Sequence, residues 1–250
     1  MDAYFHYKTP MMKRVARRLE QLVISSFMIA DQVKLGENMV ENHHFWFQFN
    51  SEFQEIATNY LELSSEPLKG RVQCKEGCSN CCSHSPQSVE PFESLSLYIH
   101  LRGREDFSSL IIKLFEREQS LNRIIDNSLV FTHEGNSNEE DVEDLWLHKY
   151  FELNTPCPFL KNNSCSVYEY RPQTCRLFMS ISEPQYCLPD AVHSPENQSF
   201  LAYLPDEVEF QLEKLNSKFE HLNIPQGLFS AILWWNQFEG EFQKNSPDRE

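Results

Sequence analysis

Residues 74–82 read Cys74-Lys-Glu-Gly-Cys78-Ser-Asn-Cys81-Cys82, and the remaining four cysteines follow much later as Cys157, Cys165, Cys175 and Cys187. No cysteine lies outside these two groups. Offsets of 0, 4, 7 and 8 would put the first four on one face of an α-helix. Length defeats that arrangement. At 1.5 Å rise per residue Cys74 and Cys82 would stand about 12 Å apart, whereas sulfurs around one zinc lie within about 4 Å of one another. The stretch must curl or divide its ligands, and Gly77 permits the positive φ that curling needs. Neighbouring side chains diverge in helix and strand alike, so Cys81 and Cys82 are expected to be inequivalent: one a ligand alongside Cys78, the other turned to a second ion, a bridge or a free thiol.

Around these groups the chain reads as helical. Only 7 glycines and as many as 19 phenylalanines among 250 residues favour compact helices with bulky contacts over a glycine-turned β fold. Two helices are predicted between Met11 and Leu63, broken near Gly36–Glu37, the second carrying Phe45, Phe49, Phe53, Ile56 and Tyr60 as a core stripe. Pro91–Leu101 and Ser108–Asn127 read as further helices, as do Asp206–His221 and Pro225–Phe242. Glu134–Asp144 is acidic and polar, a solvated loop leading to a short helical stretch, Leu145–Leu153. Residues 155–200 hold Pro156, Pro158, Pro172, Pro184, Pro189 and Pro195, which predicts irregular backbone in need of an external constraint. The four later cysteines lie in that segment. The expected class is therefore mainly α: a helical domain with irregular cysteine-rich loops clamped by metal. Residues 1–66 form an N-terminal helical extension and 67–200 a cysteine-cluster metal-binding domain with inserted helices at about 91–153. Residues 201–250 form a C-terminal helical segment packing on it.

A formal charge of −15 disfavours an electrostatic footprint on nucleic acid. No run reaches the roughly 18 apolar residues of a membrane span, so no membrane partner is expected. Lys13, Arg14, Arg17 and Arg18 before the short apolar run 22–30 mimic a secretory signal, but Glu20, Ser25 and Ser26 interrupt it and no small-x-small cleavage site follows. The expectation is a cytoplasmic chain. In a reducing compartment, close-spaced thiols serve more often as metal ligands or redox centres than as structural disulfides. His84 and His193 stand close enough to cysteines to join a mixed site. The paired His43 and His44 sit in an aromatic helix and read as a partly exposed pair. No GxGxxG, GxxxxGK[ST], HExxH or GxSxG is present, so the common nucleotide, zincin and hydrolase mechanisms lack their residues.

The CxxxCxxCC opening, the Cys157-Pro-Phe-Leu…Cys165 pair, the segment Val167-Tyr-Glu-Tyr-Arg-Pro172 and the Cys175-Arg176 step resemble the YkgJ-type cysteine-cluster proteins. Those proteins are described as zinc- or iron-chelating domains. The resemblance covers about residues 70–100 and 150–190. It implies a metal ion, zinc or iron and in some forms an iron–sulfur cluster, with Cys74, Cys78, Cys81, Cys82, Cys157, Cys165, Cys175 and Cys187 as ligands. Related cysteine clusters occur in flagellin lysine N-methylases, so an iron–sulfur-dependent protein-modifying enzyme is an alternative. A third reading is a zinc-stabilised scaffold that presents the Trp234–Trp235 region to a protein partner. From the residues themselves, Asn162–Asn163 signals a turn, and Pro158 and Pro172 restrict the backbone beside the cysteines. Arg171 and Arg176 are placed to neutralise or hydrogen-bond thiolates, or to form a surface ion pair with Glu169. Phe159, Leu160, Val167 and Tyr168 read as a small packing cluster.

Overall fold

In the computed structural model, which describes residues 9–30, 41–83, 88–133, 149, 156–188, 190–191, 194–218 and 222–245, helix α1 spans Pro10–Ala30. Thr9 caps it: its hydroxyl accepts the Met12 amide at 3.1 Å, and Pro10 occupies a first-turn position where no amide is missed. Met12, Leu19, Val23, Ser26 and Ala30 make its buried stripe. Helix α2, His43–Ser65, buries Trp46, Phe49, Phe53, Ile56, Ala57, Tyr60 and Leu61 at helical spacing, as its aromatic stripe predicts. The expected break at Gly36–Glu37 falls outside the described residues, as do Glu134–Asp144, the stretch proposed as a helix at 145–153, His84 and His193.

Helix α3, Pro91–Leu101, has the span read from the sequence and is buried almost all round. Glu90 precedes it in a capping box: the Glu90 side chain accepts the Glu93 amide, and the Glu93 carboxylate accepts the Glu90 amide. Phe92, fully buried, meets Phe49 edge-on at 5.0 Å and Phe53 at 5.8 Å, locking α3 to α2. Helix α4 runs Phe107–His133, beyond the expected end at Asn127. Once nucleated, a helix gains a hydrogen bond for each residue added, so an uncapped end read from side chains alone is set too early. A short helix α5, Gln173–Leu177, interrupts the proline-rich region that was expected to be irregular. Helices α6, Asp206–Asn216, and α7, Ile224–Asn245, close the order.

Helix α1 packs on α2 and α6, α2 on α3, and α7 on both α3 and α4. Gly227 permits the α3–α7 approach: a Cβ there would collide with Ser94 Oγ and lie 2.7 Å from Val89 Cγ1. Sheet is confined to three antiparallel pairs among the described residues. Strand β1, Ser88–Val89, pairs with β6, Leu222–Asn223; β2, Leu160–Lys161, with β3, Ser164–Cys165; and β4, Phe178–Ser180, with β5, Ser199–Leu201. One buried cluster takes Leu19, Phe53, Phe92, Phe159, Val167, Leu215 and Trp235 together, with Cys157 and Cys165 packed against its edge. The chain is mainly α-helical, and the cysteine-bearing loops lie on the helical core. No described helix is long and apolar enough to cross a membrane.

Candidate metal centre

The β2–β3 hairpin turns through Asn162 and Asn163 at φ 53° and 59°, a left-handed pair that asparagine tolerates and that matches the twist of a two-residue hairpin. The turn brings Cys165 back opposite Leu160, in the same limb as Cys157 and Phe159. Phe159 and Val167, each 2% exposed, plug this hairpin into the helical core. Leu160 and Tyr168, grouped with them on sequence grounds, are only half-buried. Arg104 fixes the hairpin from outside. Its Nη1 donates to the Ser166 carbonyl at 3.2 Å, and its other nitrogens clasp Asp106 at 2.8 Å.

The first cysteine group folds onto this frame as a curl, not a helix. Gly77 sits at φ +85°, the Cys78 amide bonds back to Lys75 at 3.0 Å, and residues Asn80–Ser83 form a 3-10 turn. The two groups meet at three places. The Cys157 amide donates to the Cys82 carbonyl at 2.7 Å. The Ser180 amide on β4 donates to Cys74 Sγ at 3.2 Å, while Gln73 donates to the Ser180 carbonyl at 2.8 Å. Asn80 Nδ2 donates to the Pro184 carbonyl, in the 3-10 turn that ends at Cys187.

All eight cysteines are free thiols, none joined in a disulfide. Cys187 is buried and most of the others are half-buried; Cys74 is exposed as a residue, though its sulfur takes the Ser180 amide. Burial pushes the Cys74 thiol up to about 11, with the Ser180 amide opposing it. Burial likewise raises Cys157, Cys165, Cys175 and Cys187. Cys81 is the exception. Cys82 hands it a hydrogen bond, which lowers Cys81 to about 7 and raises Cys82 by tying up its proton. Backbone amides already address several sulfurs: Phe159 bonds Cys157 and Val167 bonds Cys165, each from two residues onward.

Arg171 lies with its guanidinium 4.0 Å over the Tyr168 ring; its charge adds to the lowering of Cys81 and opposes the rise that burial gives Cys165. Arg176 turns to the backbone, donating to the carbonyls of Arg171 and Glu169 and so bracing the turn Tyr168–Tyr170. Its partner at Glu169 is the carbonyl, not the carboxylate. Trp235, of the Trp234–Trp235 pair, is buried and covered by Arg102 at 4.2 Å, leaving Trp234 the more exposed of the two.

Three contributors carry no obvious signal as cysteine partners in the sequence. Ser180 bonds Cys74 through its amide and Cys187 through its side chain. Arg117 is 7% exposed, and its charge works against the burial of Cys157. Glu93 accepts the Gln173 amide at 2.7 Å and so starts the helix that carries Cys175. Glu93 lacks even the usual capping-box signature, because the first position of the box holds Glu90 in place of Ser, Thr, Asp or Asn.

The donor set suits a thiophilic ion. Buried thiols that resist ionising alone are ionised readily by a cation, and amides aimed at sulfur stabilise the thiolates formed. No three His, Cys, Asp or Glu side chains among the described residues stand around a common point. The hydrogen bonds from Cys157 to Cys82, from Ser180 to Cys74 and from Asn80 to Pro184 bring the two cysteine-bearing segments into contact.

Residues 73–194, which include all eight cysteines, match the CxxCxxCC family model, described as a "putative zinc- or iron-chelating domain". The resemblance carried by the cysteine spacing holds over that segment, and the match supports metal binding in general. No curated protein and no solved structure matches the chain.

Proposed function

We propose, starting from the CxxCxxCC domain at residues 73–194, that this chain is a metal-binding protein holding zinc or iron through Cys74, Cys78, Cys81, Cys82, Cys157, Cys165, Cys175 and Cys187. The observation that carries the proposal is the bond from the Cys157 amide to the Cys82 carbonyl. It joins two distant cysteine groups while every thiol stays free. Structural disulfides would have used those thiols; ligands must keep them. Arg171 and Arg117 offset part of the negative charge that clustered thiolates carry, and the amides of Ser180, Phe159 and Val167 orient three of the sulfurs. A bound zinc would clamp the loops structurally, whereas iron or an iron–sulfur cluster would add redox chemistry. The segment 67–200 is then the metal-binding unit, with 1–66 and 201–250 as helical supports. A reducing, cytoplasmic setting would keep such thiols available as ligands.

A second reading is an enzyme that uses the centre to modify another protein. A cavity of about 390 Å³ favours it, lined by Lys113, Arg117, Ser120, Pro156, Cys157 and Leu160 beside one of the proposed ligands. Metal analysis and an absorption spectrum of anaerobically purified protein separate the forms. Zinc without colour supports a structural or storage role, a brown iron–sulfur spectrum supports redox use, and absence of both metals refutes the proposal.

A further inference from the structure

One face of helix α4 meets the Cys157 limb across the cavity of about 390 Å³. At about 30 Å³ per water this is room for roughly a dozen waters, or for one small molecule. Residues four apart on a helix are neighbours, so the helical wall consists of two short adjacent rows. Lys113 and Arg117 make a cationic row, and Glu116 and Ser120 make an accepting one. The Ser120 hydroxyl donates its proton to the Glu116 carbonyl at 2.9 Å, which leaves the oxygen free to accept. Arg117, only 7% exposed, is held in place by packing. Lys113 and Glu116 stand one turn apart, yet among the described residues neither side chain forms an ion pair. Across from α4 the cavity is lined by the apolar side chains of Pro156, Pro158 and Leu160.

We propose that this cavity binds a free apolar α-amino acid. Its carboxylate lies against Lys113 and Arg117, where a guanidinium offers the paired donors that a carboxylate fits. Its ammonium donates to Ser120 Oγ and the Glu116 carboxylate. Its side chain rests on Pro156, Pro158 and Leu160. A simple anion would leave the accepting row unmatched, and a simple cation would face the buried Arg117. Because the two rows are adjacent on one helix, the ligand's opposite charges must also be adjacent, which selects an α-amino acid over a long zwitterion. Cys157, a proposed metal ligand, shares the cavity wall, so the assignment rests on the reading in which this cavity serves the metal centre. The contacts that hold the amino acid come from α4 and the proline wall and need no metal.

The test titrates the full, reduced chain, metal-free and zinc-loaded, with L-leucine by ligand-observed NMR. L-leucinamide, which lacks the carboxylate, and N-acetyl-L-leucine, which lacks the ammonium and mimics a peptide C-terminus, are the comparison probes. Saturable leucine binding is expected, with both comparison probes weaker by about tenfold or more. Lys113→Met should weaken leucine by about threefold, as an exposed charge does. Arg117→Gln should weaken it by about tenfold or more, and Lys13→Met, on α1, should leave it unchanged. Circular dichroism shows which variants are folded, and the exposed Lys113 keeps the test decisive if Arg117→Gln does not fold. Absence of saturable leucine binding, equal binding of either comparison probe, or leucine binding that folded Lys113→Met leaves untouched overturns the proposal. Zinc held without leucine binding overturns it and leaves the metal reading intact; leucine binding by a chain that takes up neither zinc nor iron does the reverse.

Discussion

Gly77 is the residue on which the first cysteine group turns. Its φ of +85° lies in the left-handed region, and no atom lies within 4 Å of the place a Cβ would take, so a substitution there meets backbone strain alone. Gly77→Ala should cost about 1 kcal/mol in the curled conformation and weaken metal retention by roughly fivefold or more in chelator competition. Gly103→Ala, also in open space but with no positive φ, should change nothing. Equal retention in both variants would remove the curl from the account. Glu93 makes a different prediction. Burial and then the neighbouring Glu90 raise its carboxyl from 4.5 to about 7. Its folded-state value lies above the unfolded one, so the folded chain binds more protons between about pH 4.5 and 7. Its contribution to stability is present below that window and is lost as pH rises through it. Glu93→Gln should cost about 1 kcal/mol at every pH for a mismatched hydrogen bond. It should also flatten the fall of stability between pH 5 and 8, by roughly 3 kcal/mol at most. Denaturant titrations of both proteins at pH 5 and pH 8 check this, and parallel pH profiles would contradict it.

Elements differ in what holds them, and this decides which are legible in the sequence. Helix α3 is readable with its true bounds because its pattern and proline are both local, and the stripe of α2 declares its buried face by spacing alone. Asn162–Asn163 announces the hairpin turn for the same reason. Helix α5 escapes a sequence reading because its starting amide is satisfied by Glu93, which lies far back in the chain on α3. The strand pair β1–β6 escapes it likewise, since Ser88 and Val89 pair with Asn223 and Leu222 from far along the chain, beside the packed helices α3 and α7. In the candidate site, the cysteines and the family resemblance are readable from spacing. The amide of Ser180 and the charge of Arg117 are not, because a hydrogen bond made by backbone leaves no mark on side-chain type and a charge acting across the fold leaves none on spacing. The same contrast predicts the response to metal loss. Helices α1 to α4 carry their own apolar stripes and should keep their circular dichroism in chelator, while residues 70–83 and 156–190 become sensitive to protease. An identical cleavage pattern with and without metal would contradict metal clamping of the loops.

Across the whole molecule, the helical core supplies burial and the cysteine loops supply the chemistry, and they join where Phe159 and Val167 enter the core beside Cys157 and Cys165. The formal charge of −15 works against association with phosphate backbones. That charge also makes gathering further negative thiolates costly, so the loops are expected to depend on a cation for their closed form. The most direct test of this account is to count reactive thiols and metal in the same sample. The chain, purified without oxygen, is treated with an alkylating reagent before and after denaturation in chelator, alongside zinc and iron analysis. The account predicts bound zinc or iron, thiols largely protected in the native protein, and all eight alkylated once chelator and denaturant release them. Eight thiols that react freely in a folded chain without zinc or iron would contradict it.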